Sequence, residues 1–274
     1  MRILITGAGG QLGHDLQALL GAEELHPRDH RELDISDEAA VRAVVTDIRP
    51  RWIINAAAFN DVDRAETAAD HAFAVNARGP ANLAGAAAAV DAGLVHISTD
   101  YVFDGRKGKP YTETDRPNPL SVYGRSKYEG ERAVLASKAS ACVLRTAWLY
   151  GVHGKNFVKA ILEKAKEGKP LDVVADQVGS PTSTHDLADA INRLIRTPAV
   201  GLFHVVNAGA CSRYEFAMAI VRGAAEVRPI TTAEAKRPAP RPANSSLTSV
   251  RWPSLGLLAL RPWQAALDDF LNSI

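Results

Sequence analysis

Short apolar runs alternate with helix-period stretches through the first half of the chain. RILIT (2–6) reads as a buried strand, and QLGHDLQALL (11–20) as the helix that follows it. A second strand ends near His26. Ser36 can cap a helix over 37–48, where Asp37 and Glu38 suit the positive end of the dipole. That helix stops near Pro50, and WIINAAA (52–58) reads as the next strand. An alanine-rich helical stretch follows, broken near Gly79-Pro80. Its low-complexity part, GAAAAVD (85–91), is predicted to be a packed helix, because alanine is the best helix former. LVHIST (94–99) is a further strand. A loop with Gly105, Gly108, Pro110, Pro117 and Pro119 leads to a helix over 122–137 and the strand ACVLR (141–145). Such alternation predicts an α/β fold, a doubly wound parallel sheet with helices on both faces.

Beyond residue 150 the pattern loosens. VVADQVGSPT (173–182), GLFHVVNAG (201–209) and the proline-rich KRPAPRPANSS (236–246) suggest a smaller α/β lobe on the sheet's carboxyl edge. The chain has 274 residues, 46% of them hydrophobic and 23% charged, enough to bury a large core. With 32 basic against 31 acidic residues, the net charge of +1 offers no bulk attraction to nucleic acid or membranes. MRILITGAGG lacks the features of a signal peptide, and no run approaches the ~18–20 apolar residues of a membrane span. Cys142 and Cys211 lie far apart without metal-ligand spacing. Cys142, inside ACVLRTAW, is expected to be a small buried side chain. A cytoplasmic protein without nucleic-acid or membrane partners is the expectation.

The first chemistry lies in Thr6-Gly7-Ala8-Gly9-Gly10-Gln11-Leu12-Gly13, between the first strand and the first helix. Glycines let the backbone turn sharply and approach a diphosphate, and the helix start offers unpaired N–H groups. Placed there, the turn predicts a dinucleotide site. Residues 1–149 are accordingly read as the dinucleotide-binding unit, completed by later returning segments, and 150–274 as mostly the substrate lobe. Asp29 could bind the adenosine ribose and favour NAD, whereas Arg28, His30 and Arg31 could hold a 2′-phosphate and favour NADP. Asp34-Ile35 could border the adenine. Ala56, Ala57 and Ala58 are small enough for a flat cofactor to lie close by.

A second centre is Tyr123-Gly124-Arg125-Ser126-Lys127, at the start of a predicted helix. Residues four apart share one helix face. Carbonyl reduction needs a proton for the oxygen while hydride reaches carbon, and a free phenol, with a pKa of ~10, is a reluctant acid. Unit charges ~4 Å apart at an effective dielectric near 20 interact by ~4 kcal/mol, or ~3 pKa units. Lys127 is therefore expected to lower the pKa of Tyr123, which serves as general acid. Thr99, at the carboxyl end of LVHIST, is the expected hydroxyl beside the substrate carbonyl. Ser98 points the opposite way, because strand side chains alternate.

A glycine turn, a strand-end hydroxyl and then Tyr-x-x-x-Lys resembles the extended short-chain dehydrogenase/reductase superfamily. Within it the chain resembles the dTDP-4-dehydrorhamnose reductase family through GAGGQLG (7–13), LDISD (33–37), INAAAFNDVDRAE (54–66), VNARGP (75–80), STDYVFDG (98–105), YGRSKYEGE (123–131), LRTAWLYG (144–151), DQVGSPT (176–182) and RPANSSL (241–247). The resemblance implies a Rossmann-like fold and reduction of the C4 keto group of dTDP-4-dehydro-β-L-rhamnose to dTDP-β-L-rhamnose, in deoxysugar and cell-surface polysaccharide biosynthesis. It implies NADPH or NADH, with the preference open. Thr99, Tyr123 and Lys127 would form the reducing centre, and Thr99, Asp100 and Trp148 would sit beside the nucleotide sugar. Gly10, Gln11, Leu12, Asp34, Ile35, Ala56, Ala57, Ala58, Ile97, Tyr123 and Lys127 match positions around the cofactor, next to Gly7 of the turn. EELHPRDHRELD (23–34) departs from the usual ending of the second strand. Some members hold magnesium at a dimer interface; no equivalent acidic cluster stands out here, and monomer and homodimer both stay open. Related dehydratases follow the strand-end Thr with Asp-Glu, whereas this chain has Thr99-Asp100-Tyr101. Epimerases of the superfamily, and a non-catalytic role like that of the methionine adenosyltransferase regulatory subunit, are the other readings.

Overall fold

The computed structural model describes residues 1–274. The first half runs β1 (Arg2–Thr6), α1 (Gln11–Leu19), β2 (Glu24–Arg28), α2 (Glu38–Ile48), β3 (Trp52–Asn55), α3 (Gly79–Ala89), β4 (Gly93–Thr99), α4 (Val122–Leu135) and β5 (Ser140–Thr146). The second half adds α5 (Phe157–Ala165), α6 (Thr184–Leu194), β6 (Gly201–His204), α7 (Arg213–Val221) and α8 (Trp263–Asn272), with short strands between them. Six strands form one parallel sheet in the order β6-β5-β4-β3-β1-β2. The strand order reverses at β1 and β3. The connections leaving their carboxyl ends run in opposite directions there and leave a crevice, the usual ligand position in such sheets.

The strands are near-continuous apolar runs because both faces of the sheet are covered. Ile3 and Ile5 point to the side covered by α1 and α6. Leu4, between them, packs with Val41, Val45 and Leu83 from α2 and α3. A third core lies outside the sheet, where Tyr150, Val158, Phe216, Trp263 and Phe270 come together from α5, α7, α8 and the segment before α5.

Several sequence expectations change in detail. The second strand extends to Arg28 rather than stopping near His26, and it tolerates Pro27 because β2 is an edge strand. Asp37, not Ser36, caps α2, accepting from Ala39 N and Ala40 N; the Ser36 hydroxyl donates to Asp34 instead. The chain is not broken at Gly79-Pro80. A π-helical turn (Ala74–Arg78) leads directly into α3 with helical backbone angles at Arg78, and Pro80 follows as the second residue of α3. The helix bearing Tyr123 ends at Leu135, two residues before the expected end. GLFH (201–204), expected in the smaller lobe, is instead the edge strand β6, where Leu202 and Phe203 pair with Val143 and Leu144.

Helix α4 sits unusually close to its neighbour. A Cβ at Gly130 would lie 2.1 Å from the Asn76 carbonyl oxygen in the π-helical turn. Alanine is normally the better helix former by up to about 1 kcal/mol. The overlap should outweigh that gain, and Gly130→Ala is expected to lower stability by about 1–3 kcal/mol in urea unfolding. A variant as stable as the parent would show that this approach is not tight.

Candidate active site

Gly7 turns the chain out of β1 with φ +72°, and a Cβ there would fall 2.5 Å from Ala57 N. Only glycine combines that backbone conformation with such an approach. Gly10 then stands at the N-cap of α1 with no side-chain cap and no acidic residue in the first turn. The leading N–H groups thus keep no side-chain acceptor, an arrangement that fits a phosphate. Asn55 sets the facing wall. Its Oδ1 accepts from Thr6 Oγ1 at 2.8 Å and from Ala57 N at 3.1 Å, and its Nδ2 lies 3.0 Å from His96 Nδ1. Ala56 N still donates to the Thr6 carbonyl at 3.1 Å, but Ala57 N turns to the Asn55 side chain, and β3 ends at Asn55 and not at Ala58 as the apolar run suggested.

Two cavities follow from this turn. One, of about 590 Å³, is lined by Gly7, Gly10, Asp29, His30, Arg31, Asp34, Ile35 and Ala56–Ala58. The other, of about 310 Å³, is lined by Gly10, Gln11, Leu12, Ile97, Thr99, Asp100, Tyr123, Lys127 and Trp148. Gly10, Ala56, Ala58 and Asn60 line both, so the two make one elongated cleft. The cleft has the shape an extended dinucleotide requires, and the bare helix end lies where its two halves meet. Asp29 does not stand free in it. Its carboxylate accepts from Arg31 at 2.6 and 3.0 Å, which holds its pKa down at about 2. Arg28 donates to the Pro27 carbonyl at 2.8 Å and takes no part in the lining.

At the other end, Thr99 Oγ1 accepts from Tyr101 N and donates to Asp100 Oδ1 at 3.1 Å. Ser98 points away, as strand alternation requires, and donates to Glu131. Tyr123 and Lys127 both face the cavity from the first turns of α4, which Ser121 caps by accepting from Gly124 N. Lys127 Nζ donates to the Ile97 carbonyl at 2.7 Å. Burial lowers its pKa to about 8, with the Glu131 carboxylate pulling the other way. The expectation that Lys127 lowers the Tyr123 pKa does not hold. Burial pushes the phenol well above its ordinary value, a Thr99 hydrogen bond opposes this, and Asp100 and Tyr101 add to it. The ammonium is committed to a backbone carbonyl, and the partly buried phenol is left to desolvation. Asp100 is likewise raised, to about 6, by burial, although Ser245 and Thr99 donate to it. Trp148 adopts φ +46°, uncommon for a bulky residue, and the Arg213 guanidinium lies 3.5 Å from its ring centroid.

Apart from Arg28, the residues expected from sequence thus share one cleft. Those that went unremarked are Asn55, Asn60, Arg213 and Ser245. Ser245 lies in RPANSSL, which carried the resemblance but no assigned role, and nothing local in the sequence points to Arg213. No group of three or more His, Cys, Asp and Glu side chains is placed to hold a metal ion. Both cysteines are free and buried.

A glycine-turn dinucleotide cleft ending in Thr, Tyr and Lys on a parallel sheet defines an oxidoreductase of the short-chain dehydrogenase/reductase superfamily. The chain belongs to the RmlD substrate-binding domain family, whose model matches residues 1–274. It is 46% identical to a probable dTDP-4,6-dihydroxy-2-methyloxan-3-one 4-ketoreductase of Streptomyces antibioticus, over 100% of this chain and 96% of that one. It is 44% identical to the dTDP-4-dehydrorhamnose reductase of Mycolicibacterium smegmatis, over 100% and 86%. The crystal structure of the Bacillus anthracis dTDP-4-dehydrorhamnose reductase in complex with NADP superposes with a TM-score of 0.97 at 43% identity, covering 100% and 99%.

The buried lysine has a consequence for stability. Its folded pKa of about 8 lies below the ordinary 10.5, so between those values the unfolded chain holds a proton that the native state lacks. Raising pH through that window therefore favours the native state, by a total on the order of 3 kcal/mol. Urea unfolding of wild type and Lys127→Met should show the wild type gaining relative stability from pH 8 to 10. A constant difference would mean that the ammonium is not desolvated.

Proposed function

We propose that the chain reduces the C4 keto group of dTDP-4-dehydro-β-L-rhamnose to the alcohol of dTDP-β-L-rhamnose, with NADPH or NADH as reductant. The observation that carries this reading is the single cleft joining the glycine turn to Thr99, Tyr123 and Lys127. The nicotinamide supplies the hydride when bound. Gly7, Gly10, Gln11 and Leu12 would hold the diphosphate. Asp34 and Ile35 would border the adenosine, and Ala56–Ala58, Ile97, Tyr123 and Lys127 the rest of the cofactor. Residues 1–149, with α6 and β6 packed back onto them, serve the dinucleotide, and the remainder mostly serves the sugar nucleotide.

Thr99 and Tyr123 would hydrogen-bond the ketone oxygen, and Tyr123 would release its proton as that oxygen becomes an alkoxide. With its pKa raised rather than lowered, the Tyr123 phenol is protonated at neutral pH, as an ordinary phenol is. A reductase needs its acid loaded before hydride arrives, and an alkoxide is basic enough to take the proton. Lys127, buried at the same wall, would orient the cofactor side of the cleft. Asp100 and Trp148 would flank the sugar. Thr99-Asp100-Tyr101 lacks the glutamate that an elimination would need beside the aspartate, which favours reduction over dehydration. The reading places the activity in the cytoplasm, where reduced nicotinamides and nucleotide sugars are available.

Cofactor oxidation on the 4-keto sugar nucleotide, followed separately with NADH and NADPH, tests the reaction. Tyr123→Phe should lower kcat by about 10²–10⁴-fold with NADPH affinity close to the parent's. Undiminished turnover in that variant would remove Tyr123 as the acid.

A further inference from the structure

Beside this site, stacked on Trp148, Arg213 is the first residue of α7; its side chain hydrogen-bonds Tyr101 and no carboxylate forms an ion pair with it. A cation at that end of a helix opposes the dipole, so helix stability does not explain it. No carboxylate pairs with its guanidinium. Arg241, across the Tyr101 hydroxyl, is by contrast fully engaged, holding both oxygens of Asp63 at 3.0 and 2.9 Å. Asp100 is close enough to feel the Arg213 charge, yet its carboxylate is taken by Ser245 and Thr99. Burial disfavours the charge on Arg213. A partly buried guanidinium that meets only a neutral hydroxyl and has no counter-ion is costly, and a ligand that brings an anion would relieve that cost.

Its placement indicates which ligand. The guanidinium stacks 3.5 Å from the Trp148 ring centroid and 5.1 Å from that of Phe157, which fixes its plane. Trp148 lines the same cavity as Thr99 and Tyr123, while the opposite end of the cleft, by Asp29 and Arg31, is the adenosine end. The anion is therefore one carried by the substrate rather than by the cofactor's far end. A planar, oriented guanidinium suits two-oxygen recognition of a phosphoryl group.

We propose that Arg213 binds the diphosphate of the nucleotide sugar beside Trp148, and so sets how far the keto carbon reaches toward Tyr123. This rests on the proposed nucleotide-sugar substrate. The test is the affinity of thymidine, dTMP and dTDP for the wild type, Arg213→Lys and Arg213→Gln, measured by competition against substrate turnover and by calorimetry. In the wild type, affinity should rise with each phosphate. Arg213→Gln should lose at least tenfold for dTDP, with thymidine and NADPH within about twofold, and its KM should rise more than its kcat falls. Arg213→Lys should fall between the two, because a point charge replaces the fork. Equal losses for thymidine and dTDP would make Arg213 a support for Trp148 and overturn the proposal, as would unaltered dTDP affinity in Arg213→Gln. A wild type that fails to bind dTDP would overturn the nucleotide-sugar reading itself, and this subsite with it.

Discussion

Everything at the catalytic end hangs on one buried carboxylate. Glu131, 1% exposed, accepts from Arg145 Nε at 2.9 Å and NH2 at 2.7 Å, and from Ser98 Oγ at 2.5 Å. Those three residues sit on α4, β5 and β4. The carboxylate therefore fixes the helix carrying Tyr123 and Lys127 against the strand carrying Thr99. A buried pair of this kind contributes little net stability, but losing one partner costs about 3–5 kcal/mol because the other charge is stranded. Its value is geometric. The close approach of Gly130 to Asn76 adds a steric limit one residue along the same helix.

With the frame held, desolvation governs the chemistry. The cleft pushes the Tyr123 pKa up, brings Lys127 near the titration range and raises Asp100. These three effects share one cause, the removal of water from charged forms. A Coulomb estimate from helix spacing alone gave the opposite sign for the phenol. It placed the ammonium beside the hydroxyl, whereas the ammonium is turned to the Ile97 carbonyl. In a reductase the outcome is coherent, since the acid must arrive loaded.

The parallel sheet was legible in the chain because strands buried on both faces must be apolar throughout, and RILIT, WIIN and LVHIST are. The glycine turn and the Tyr-x-x-x-Lys pair were legible because backbone conformation and helix spacing are local properties. Tertiary structure decided the rest. GLFH became a sheet strand only because β5 offered it a free edge. WIINAAA stopped being a strand at Asn55 because that side chain found Thr6 and Ala57. The raised pKa of Tyr123 and the lack of a carboxylate partner at Arg213 depend on which groups from distant segments surround them. Burial and long-range pairing are properties of the packed chain, and no local window of residues contains them.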